Sequence, residues 1–465
     1  MSSGTGNQVR QLFGTDGIRG VAGVYPLDAR TIFAIGRALG ARLRRRYNEA
    51  RVVIGEDTRE SSAWIADALQ RGLAAAGAES VHAGVMTTPG VAYLARCCKV
   101  AGIVISASHN PWMDNGIKLF ARDGMKVPDA IEHEIEQEIF THLEELAADF
   151  HPGQADGAGC SPEDAHPELR ESYVQWLAAS VDSSKVHGFR VLVDCANGAA
   201  ARVAPELFRR CGLEAAFLHI SPDGRNINDG CGALHPEHVA SELRKRKQEF
   251  DLGITFDGDG DRALFCDERG NIVNGDGVLL IAAREMKRRG TLAHDTVVAT
   301  AMSNMGLEKS LRETGIRLLR AQVGDRYVLE EMLKTGAKLG GEQSGHILFM
   351  DGEATTGDGL LTALRLLEVL GSTGSRLSEL LAEFKVFPQV IRNVKVREKL
   401  PFEQMPKVHA AIKAAEDELD GNGRVVVRYS GTEKLARVMI EAESEELMNK
   451  HAEAIASAIE QAIGV

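Results

Sequence analysis

Leu252-Gly-Ile-Thr-Phe256, then Asp257-Gly-Asp-Gly-Asp-Arg262, then Ala263-Leu-Phe265 is an apolar run, a loop alternating carboxylates with glycine, and a second apolar run. The flanking runs read as strands, so the loop joins two strands. Carboxylates at alternate positions project oxygens toward one point, and the glycines let the backbone fold tightly around it. Hard oxygen donors select magnesium or calcium over softer metals. An EF-hand would also suit Glu268 at the twelfth position. It fails because Arg262 stands sixth, where that loop needs glycine, and because strands replace its flanking helices. A plain acidic turn is the weaker reading, since carboxylates packed together repel one another without a cation.

Outward from this loop, the same plan occurs three times. Val52-Val53-Ile54, Val191-Leu192-Val193 and Val297-Val298-Ala299 each precede a small or polar turn, and helical patterns follow, as at Ser61 to Ala75 and Met305 to Glu313. Each unit then reaches a second strand-like stretch ending in an unusual loop. Gly102 to Ile105 precedes Ser106-Ala-Ser-His-Asn-Pro111, and Leu252 to Phe256 precedes the acidic loop. Ala337 to Leu339 precedes Gly340-Gly-Glu-Gln-Ser-Gly-His346. Strands alternating with helices predict α/β layers. Open α/β sheets place ligands beyond the carboxyl ends of such strands, so three loaded loops predict a site built jointly by several domains.

Residues 1–155, 165–268 and 269–386 therefore read as three α/β domains. Ala130 to Phe150, with Ile131, Ile135, Ile139, Leu143 and Leu146 near helical spacing, reads as an amphipathic helix, and His151 to Pro162 as a connection. Residues 387–465 differ: strand Val390 to Val396, helix Pro406 to Glu418, strands Arg424 to Tyr429 and Ala436 to Glu443, then helix Ser444 to Ile463, a small α+β module. A length of 465 residues suits three or four domains. The formal charge of -12 repels nucleic acid and anionic membranes, so neither is expected as a partner. A phosphorylated ligand is repelled too unless arginines gather locally. Seven cysteines fit no zinc or redox spacing, which predicts reduced, mostly packed thiols. With no signal-like N-terminus and no apolar run near ~18 residues, a cytoplasmic protein is expected.

Ser108 lies in the first loop. No G-x-S-x-G is present, and His109, as its neighbour, is expected to point away from it, so a hydrolase triad does not fit. A serine facing three carboxylates makes better sense as a phosphate carrier, because its phosphate would add an anionic oxygen to a metal shell. Lys118, in Asp114-Asn-Gly-Ile-Lys118, is placed to act as acid–base group or phosphate clamp. Ser106 reads as a turn residue rather than a second acceptor. Arg19, in Gly14-Thr-Asp-Gly-Ile-Arg-Gly20, is a further cation, and Ser108, Lys118, Arg19 and His109 are the catalytic candidates. Glu342 and Ser344 suit sugar hydroxyls, although a plain turn explains them as well. Arg428-Tyr-Ser-Gly-Thr432, with Arg437 beyond, is a phosphate nest in composition. Neither a Walker A loop nor G-x-G-x-x-G occurs, which argues against ATP or NAD.

In this order, Phe13 to Gly20, Ile105 to Pro111, Asp114 to Lys118, Asp257 to Arg262, Gly341 to His346 and Arg428 to Glu433 resemble the motifs of the α-D-phosphohexomutase superfamily over nearly the whole chain. The N-terminal motif, Gln343 and Ser-Gly-Thr-Glu433 resemble its glucosamine branch. Lys434 departs from the proline usual there. The resemblance implies three similar α/β domains with mixed sheets plus a smaller C-terminal α+β domain around a central cleft. It implies conversion of glucosamine 6-phosphate to glucosamine 1-phosphate, toward UDP-N-acetylglucosamine, through a phosphorylated Ser108 and a sugar 1,6-bisphosphate. Asp257, Asp259 and Asp261 with the phosphoserine oxygen would hold Mg²⁺. Glu342 and Ser344 would contact the sugar, and Arg428, Ser430, Gly431, Thr432 and Arg437 the phosphate not being transferred. Bacterial members are often homodimers, but no stripe of residues here marks an interface. The mannose/glucose branch shares the mechanism. A sugar phosphatase would need no bisphosphate primer, and a calcium-binding protein would leave Ser108 and Arg428 without a role.

Overall fold

A computed structural model describes residues 12–14, 16–47, 49–146, 150, 166–430 and 434–465. The expected connection His151 to Pro162 lies outside them. The chain divides into two compact units. One comprises the residues up to Met302 with Leu318–Ala382, and the other Ser303–Arg317 with Glu383–Val465.

The first unit contains three mixed sheets of one plan. In the first, Glu79–Val85, Arg51–Glu56 and Ala101–Ile105 run parallel, and Asp114–Phe120 lies antiparallel beside the last of them. Gly17–Val21 and Phe13–Gly14 extend that edge. The second sheet repeats the order with Glu214–Leu218, Arg190–Asp194 and Leu252–Phe256 parallel, then Ala263–Cys266 and Ile272–Val273 antiparallel. The third runs Arg317–Ala321, Thr296–Thr300, Leu339–Gly341, Ile347–Phe349, again with its last strand antiparallel. Each chemically loaded loop is the turn from the outer parallel strand into its antiparallel neighbour. Topology thus puts Ser108, the acidic loop and Glu342 at equivalent ends of their sheets.

The apolar runs follow from burial on two faces. Val52 and Ile54 join a core with Ile32, Ile35, Leu69, Ile103 and Ile117, while Val53 is buried outside that cluster. A strand covered on both sides reads as unbroken hydrophobic sequence rather than as alternation. Helix Ala29–Arg46, capped by Asp28 through the N–H of Thr31 at 3.0 Å, packs on helix Ser62–Ala75. The two backbones meet at Gly36 and Gly72: a Cβ on Gly72 would lie 2.2 Å from the carbonyl oxygen of Phe33.

Two expected elements differ in extent. The amphipathic helix covers Asp129–Glu145 instead of reaching Phe150, because Arg30 takes the carbonyls of Leu143 and Leu146 at 2.6 and 2.8 Å and closes its end. The strand expected at Ala337 to Leu339 is Leu339–Gly341, drawn into register by parallel pairing with Val297–Ala299. Cys195, Cys211, Cys231 and Cys266 are buried free thiols, whereas Cys97 and Cys98 are exposed. Among the described residues no helix is long and apolar enough to cross a membrane.

The second unit is a three-stranded antiparallel sheet in the order Gln389–Lys395, Leu435–Ala442, Gly423–Tyr429, with helices Pro406–Leu419 and Glu445–Ile463 against it. Val438, Ile440, Leu419, Ile455 and Ile459 form its core. Helix Met305–Glu313 belongs to this unit. Asn304 caps it, accepting from Gly306 at 2.9 Å, and donates to the carbonyl of Phe387 at 3.0 Å.

Helix propensity alone makes Gly72→Ala stabilising by ~1 kcal/mol. The contact with the Phe33 carbonyl reverses the sign, and overpacking of this kind costs ~1–3 kcal/mol. The variant should lower the thermal unfolding midpoint, and an unchanged or raised midpoint would show that the two helices can move apart freely.

Candidate active site

Ser108 is buried, with a left-handed backbone at φ 52°, a conformation that non-glycine residues adopt only when held there. Four polar groups hold it. Its N–H donates to Ser106 Oγ at 2.9 Å, and Ser106 in turn donates to Asp57. Its carbonyl accepts from Arg59 at 3.2 Å and from Asn228 Nδ2 at 2.9 Å. Arg59, ion-paired with Asp57 where both side chains are fully buried, also donates to the carbonyl of Asn110 at 2.6 Å. The loop is thereby fixed from two sheets, and Ser108 Oγ donates to Asp257 Oδ2 at 2.6 Å.

Asp257, Asp259 and Asp261 are buried, and a carboxylate oxygen from each lies within 4.8 Å of the others. Burial and the Asp261 and Asp259 charges push Asp257 well above the usual carboxylate range. Burial acts the same way on Asp261, but Lys118 and His346 overcome it and hold that group well below the range. Oδ1 of Asp259 and Oδ1 of Asp261 are buried without a hydrogen-bond partner. Orphaned oxygens in an all-oxygen cluster fit a hard divalent cation, which would satisfy both and relieve the repulsion at Asp257.

Lys118 is buried rather than solvated. Its Nζ lies 2.9 Å from Asp259 and from Asp16, and 3.7 Å from Asp261. Burial would lower its pKa, but these carboxylates raise it well above the ordinary lysine value, so it stays charged and acts as a donor, not a base. Asp16 is ion-paired with Arg19 and, at 2.6 Å, with Lys126, which reaches Asp325 at the start of helix Asp325–Thr335, packed against the third sheet. Thr88, in the first turn of helix Thr88–Cys98, donates its N–H to the carbonyl of Asp259 at 2.9 Å and its hydroxyl to that side chain.

His109 departs from expectation. It does not point away from Ser108: Nδ1 stands 3.4 Å from Ser108 Oγ, because the left-handed turn brings the adjacent side chains to one side. Burial, with Arg262 and Arg19 nearby, pushes its pKa down to about 4, which leaves a neutral ring.

The third loop joins the second through backbone. Ala263 N–H donates to the carbonyl of Gly345 at 3.1 Å. Gly345 has φ +93°, and a Cβ there would lie 2.4 Å from the Ala263 carbonyl oxygen. Glu342 accepts from the N–H of Gly324 at 3.1 Å and from Ser344 Oγ at 3.3 Å. Ser344 is exposed and Glu342 partly so, and the Glu342 charge acts on Arg262.

In the second unit, Arg428 and Arg437 are direct cross-strand partners. Like charges directly opposite each other destabilise a strand pair, which an anion between them would reverse. Ser430 is buried, its N–H donating to the carbonyl of Leu435 at 2.8 Å and its carbonyl accepting from Lys399 at 2.6 Å. Gly431 and Thr432 lie outside the described residues. Lys434 is exposed, and its carbonyl accepts from Val396 at 3.0 Å.

The structure thus brings Ser108, His109, Lys118 and the three aspartates together, with Arg19 one ion pair away through Asp16. Sequence reasoning missed Asp57, Arg59, Thr88, Asn228 and Asp16. For Asp57 and Arg59 a signal existed: Glu56-Asp-Thr-Arg59 follows the strand Arg51–Glu56, the position where ligands gather in such sheets.

Comparison with known proteins fits this geometry. Four phosphoglucomutase/phosphomannomutase domain models match in order: alpha/beta/alpha domain I at residues 10–145, domain II at 171–270, domain III at 274–387 and the C-terminal domain at 392–458. A phosphoglucosamine mutase of Koribacter versatilis is 64% identical over 98% of both chains. One of Solibacter usitatus is 48% identical over 98% of this chain and 99% of its own. The crystal structure of a phosphoglucomutase/phosphomannomutase family protein from Burkholderia thailandensis superposes with a TM-score of 0.76 at 26% identity, over 98% of this chain and 99% of that one. Ordered domain matches across the chain, and three sheets that converge on one serine and three aspartates, place this chain in the phosphoglucomutase/phosphomannomutase family.

Proposed function

We propose that the chain interconverts glucosamine 6-phosphate and glucosamine 1-phosphate, through a phosphoserine at Ser108 and a sugar 1,6-bisphosphate held in the site. The observation that carries this reading is Ser108 Oγ directed at Asp257 from 2.6 Å, inside a buried carboxylate triad. The choice of sugar rests on the names of the relatives, both phosphoglucosamine mutases.

Phosphoryl transfer depends mainly on positioning and charge neutralisation. Ser108 would pass its phosphoryl group to the free hydroxyl of the sugar monophosphate, and the bisphosphate would then return its other phosphate to Ser108. Asp257, Asp259 and Asp261 would hold Mg²⁺, which when bound offsets charge on the phosphoryl oxygens. Lys118, permanently charged, would donate to those oxygens and hold the aspartates in place. His109, neutral and beside Ser108 Oγ, would orient that hydroxyl through its ring nitrogen. Glu342 and Ser344 would take sugar hydroxyls. Arg428, Ser430, Gly431, Thr432 and Arg437 would grip the phosphate that stays in place, and free sugar 1,6-bisphosphate would charge an unphosphorylated Ser108.

Ser108→Ala should lose at least ~10³-fold in turnover, about 4 kcal/mol of barrier, while remaining folded. Mass spectrometry should find one added phosphate at this position in the wild type and none in the variant. Near-normal mutase activity in the variant would end the covalent mechanism.

Asp259→Asn should weaken both activity and metal dependence, since a neutral amide balances a divalent cation poorly. Chelation should silence the wild type, and Mg²⁺ should restore it better than Ca²⁺, whose shell is larger and less strict. Full activity in excess chelator would remove the metal from the mechanism.

At C2, glucosamine 6-phosphate carries an amine, largely protonated near neutral pH, where glucose 6-phosphate has a hydroxyl. A charge-assisted hydrogen bond there is worth ~1.5–3 kcal/mol, giving roughly ten- to a hundredfold higher kcat/KM for the amino sugar. Side-by-side assays with matched bisphosphate primer measure this. Equal or better use of mannose or glucose phosphate would shift the chain to the other branch, and steady release of inorganic phosphate would favour a phosphatase.

A further inference from the structure

The central strand Arg190–Asp194 of the second sheet ends in a carboxylate that the chemistry above does not use. Asp194 is fully buried, its Oδ1 accepting from Ala196 N–H at 2.9 Å and its Oδ2 from Gly232 N–H at 3.0 Å. The neighbouring strand Glu214–Leu218 delivers His219 directly after its last residue, with a left-handed φ of 50°. Cys231, also fully buried, arrives from the segment before Gly232. One donor atom each from Asp194, His219 and Cys231 lies within 4.8 Å of the other two. Among the described residues the only other such group is the aspartate triad.

Hydrogen bonds account for both Asp194 oxygens but not for the His219 ring nitrogen. His219 Nδ1 is 3.0 Å from Asp194 Oδ2, yet it is shielded from solvent and makes no hydrogen bond of acceptable direction. A ring nitrogen and a carboxylate oxygen this close, without an N–H aimed between them, repel each other, and a cation held by both would relieve that. The Cys231 sulfur lies within reach of the same region.

We propose that Asp194, His219 and Cys231 form a second cation site, for a thiophilic divalent ion of the zinc class. Mixed oxygen, nitrogen and sulfur donors suit zinc or cobalt, whereas the sulfur disfavours magnesium and calcium. Bonds of ~2.0–2.3 Å in tetrahedral geometry would set the donors roughly 3.3–3.7 Å apart, so the His219–Asp194 pair, now at 3.0 Å, would open slightly around the ion. On binding, the metal–sulfur bond forms and the Cys231 proton passes to solvent. Nothing is oxidised or reduced. The His219 side chain is about one-third exposed and opens the site to solvent, which supplies the remaining ligand.

The ion would act on the Ser108 loop from behind. Asn228, three residues before Cys231, donates its side chain to the carbonyls of Ser108 and Asn110 at 2.9 and 3.2 Å, and its N–H to the carbonyl of Ala196 at 2.9 Å. A cation bound to Asp194, His219 and Cys231 would fasten these turns to each other. Its role would be positioning, with no contact to substrate.

Co²⁺ alone, titrated into the full-length chain, tests the site, because only a sulfur ligand gives a thiolate-to-cobalt charge-transfer band. The wild type should develop that band at one equivalent, and Zn²⁺ should abolish it by competition. The Asp257→Asn/Asp259→Asn double variant, which disables the sulfur-free triad, should keep it. Cys231→Ser should lose it. His219→Gln should weaken Co²⁺ binding at least about tenfold. Zn²⁺ should raise the thermal unfolding midpoint of the wild type but not of Cys231→Ser. Absence of the band in the wild type, its survival in Cys231→Ser, or unchanged affinity in His219→Gln would each overturn the proposal.

Discussion

Lys118 is an ammonium group buried among carboxylates from two sheets, and the rest of the site is arranged around that fact. An ion this deep is tolerable only with its partners in place. From it a line of alternating charge runs through Asp16 to Lys126 and on to Asp325 in one direction, and to Asp259 and Asp261 in the other. Apart from Lys118 itself, the residues stand in turns and at a helix start around all three sheets of the first unit. Removing one partner of a buried pair typically costs ~3–5 kcal/mol because the other is left uncompensated. The line therefore fixes how the sheets meet, and with it the register between Ser108 and Asp257.

The same constraint explains the electrostatic asymmetry of the aspartates. Asp261 keeps its charge because Lys118 and His346 face it, whereas Asp257 is pushed toward its neutral form by burial and by its two neighbours. Ser108 donates to the aspartate whose charge is least supported by protein. The proposed cation would thus sit at the point where the protein's own cations leave a deficit.

Much of this was legible in sequence wherever the signal was local. The acidic loop announces itself by composition, and Val52 to Ile54 and its counterparts read as strands because both faces are covered. The helix near residue 130 was legible in its face but not in its end, which Arg30 sets from more than a hundred positions away. Asp57 and Arg59 were readable from their place at the end of a strand, whereas Asp16 with Lys118 and Asn228 against Ser108 could not be read, since each acquires meaning only when distant segments meet. His109 was misjudged for a local reason: the left-handed turn at Ser108 reverses the usual rule that neighbouring side chains diverge.

The order of strands is the same in all three sheets, and each places its loaded turn in the same slot. Three copies of one scaffold are thereby free to differ separately: one slot carries Ser108, one the buried aspartate triad, one Glu342 and Ser344. The Ala263–Gly345 hydrogen bond couples the second and third slots through main chain alone, so it is indifferent to the side chains around it. On the proposed mechanism, descendants of such a scaffold could exchange the third-loop side chains while the Ser108 and aspartate slots stay as they are. Divergence in substrate would then be confined to one turn of one repeat, provided the glycine at its foot is kept.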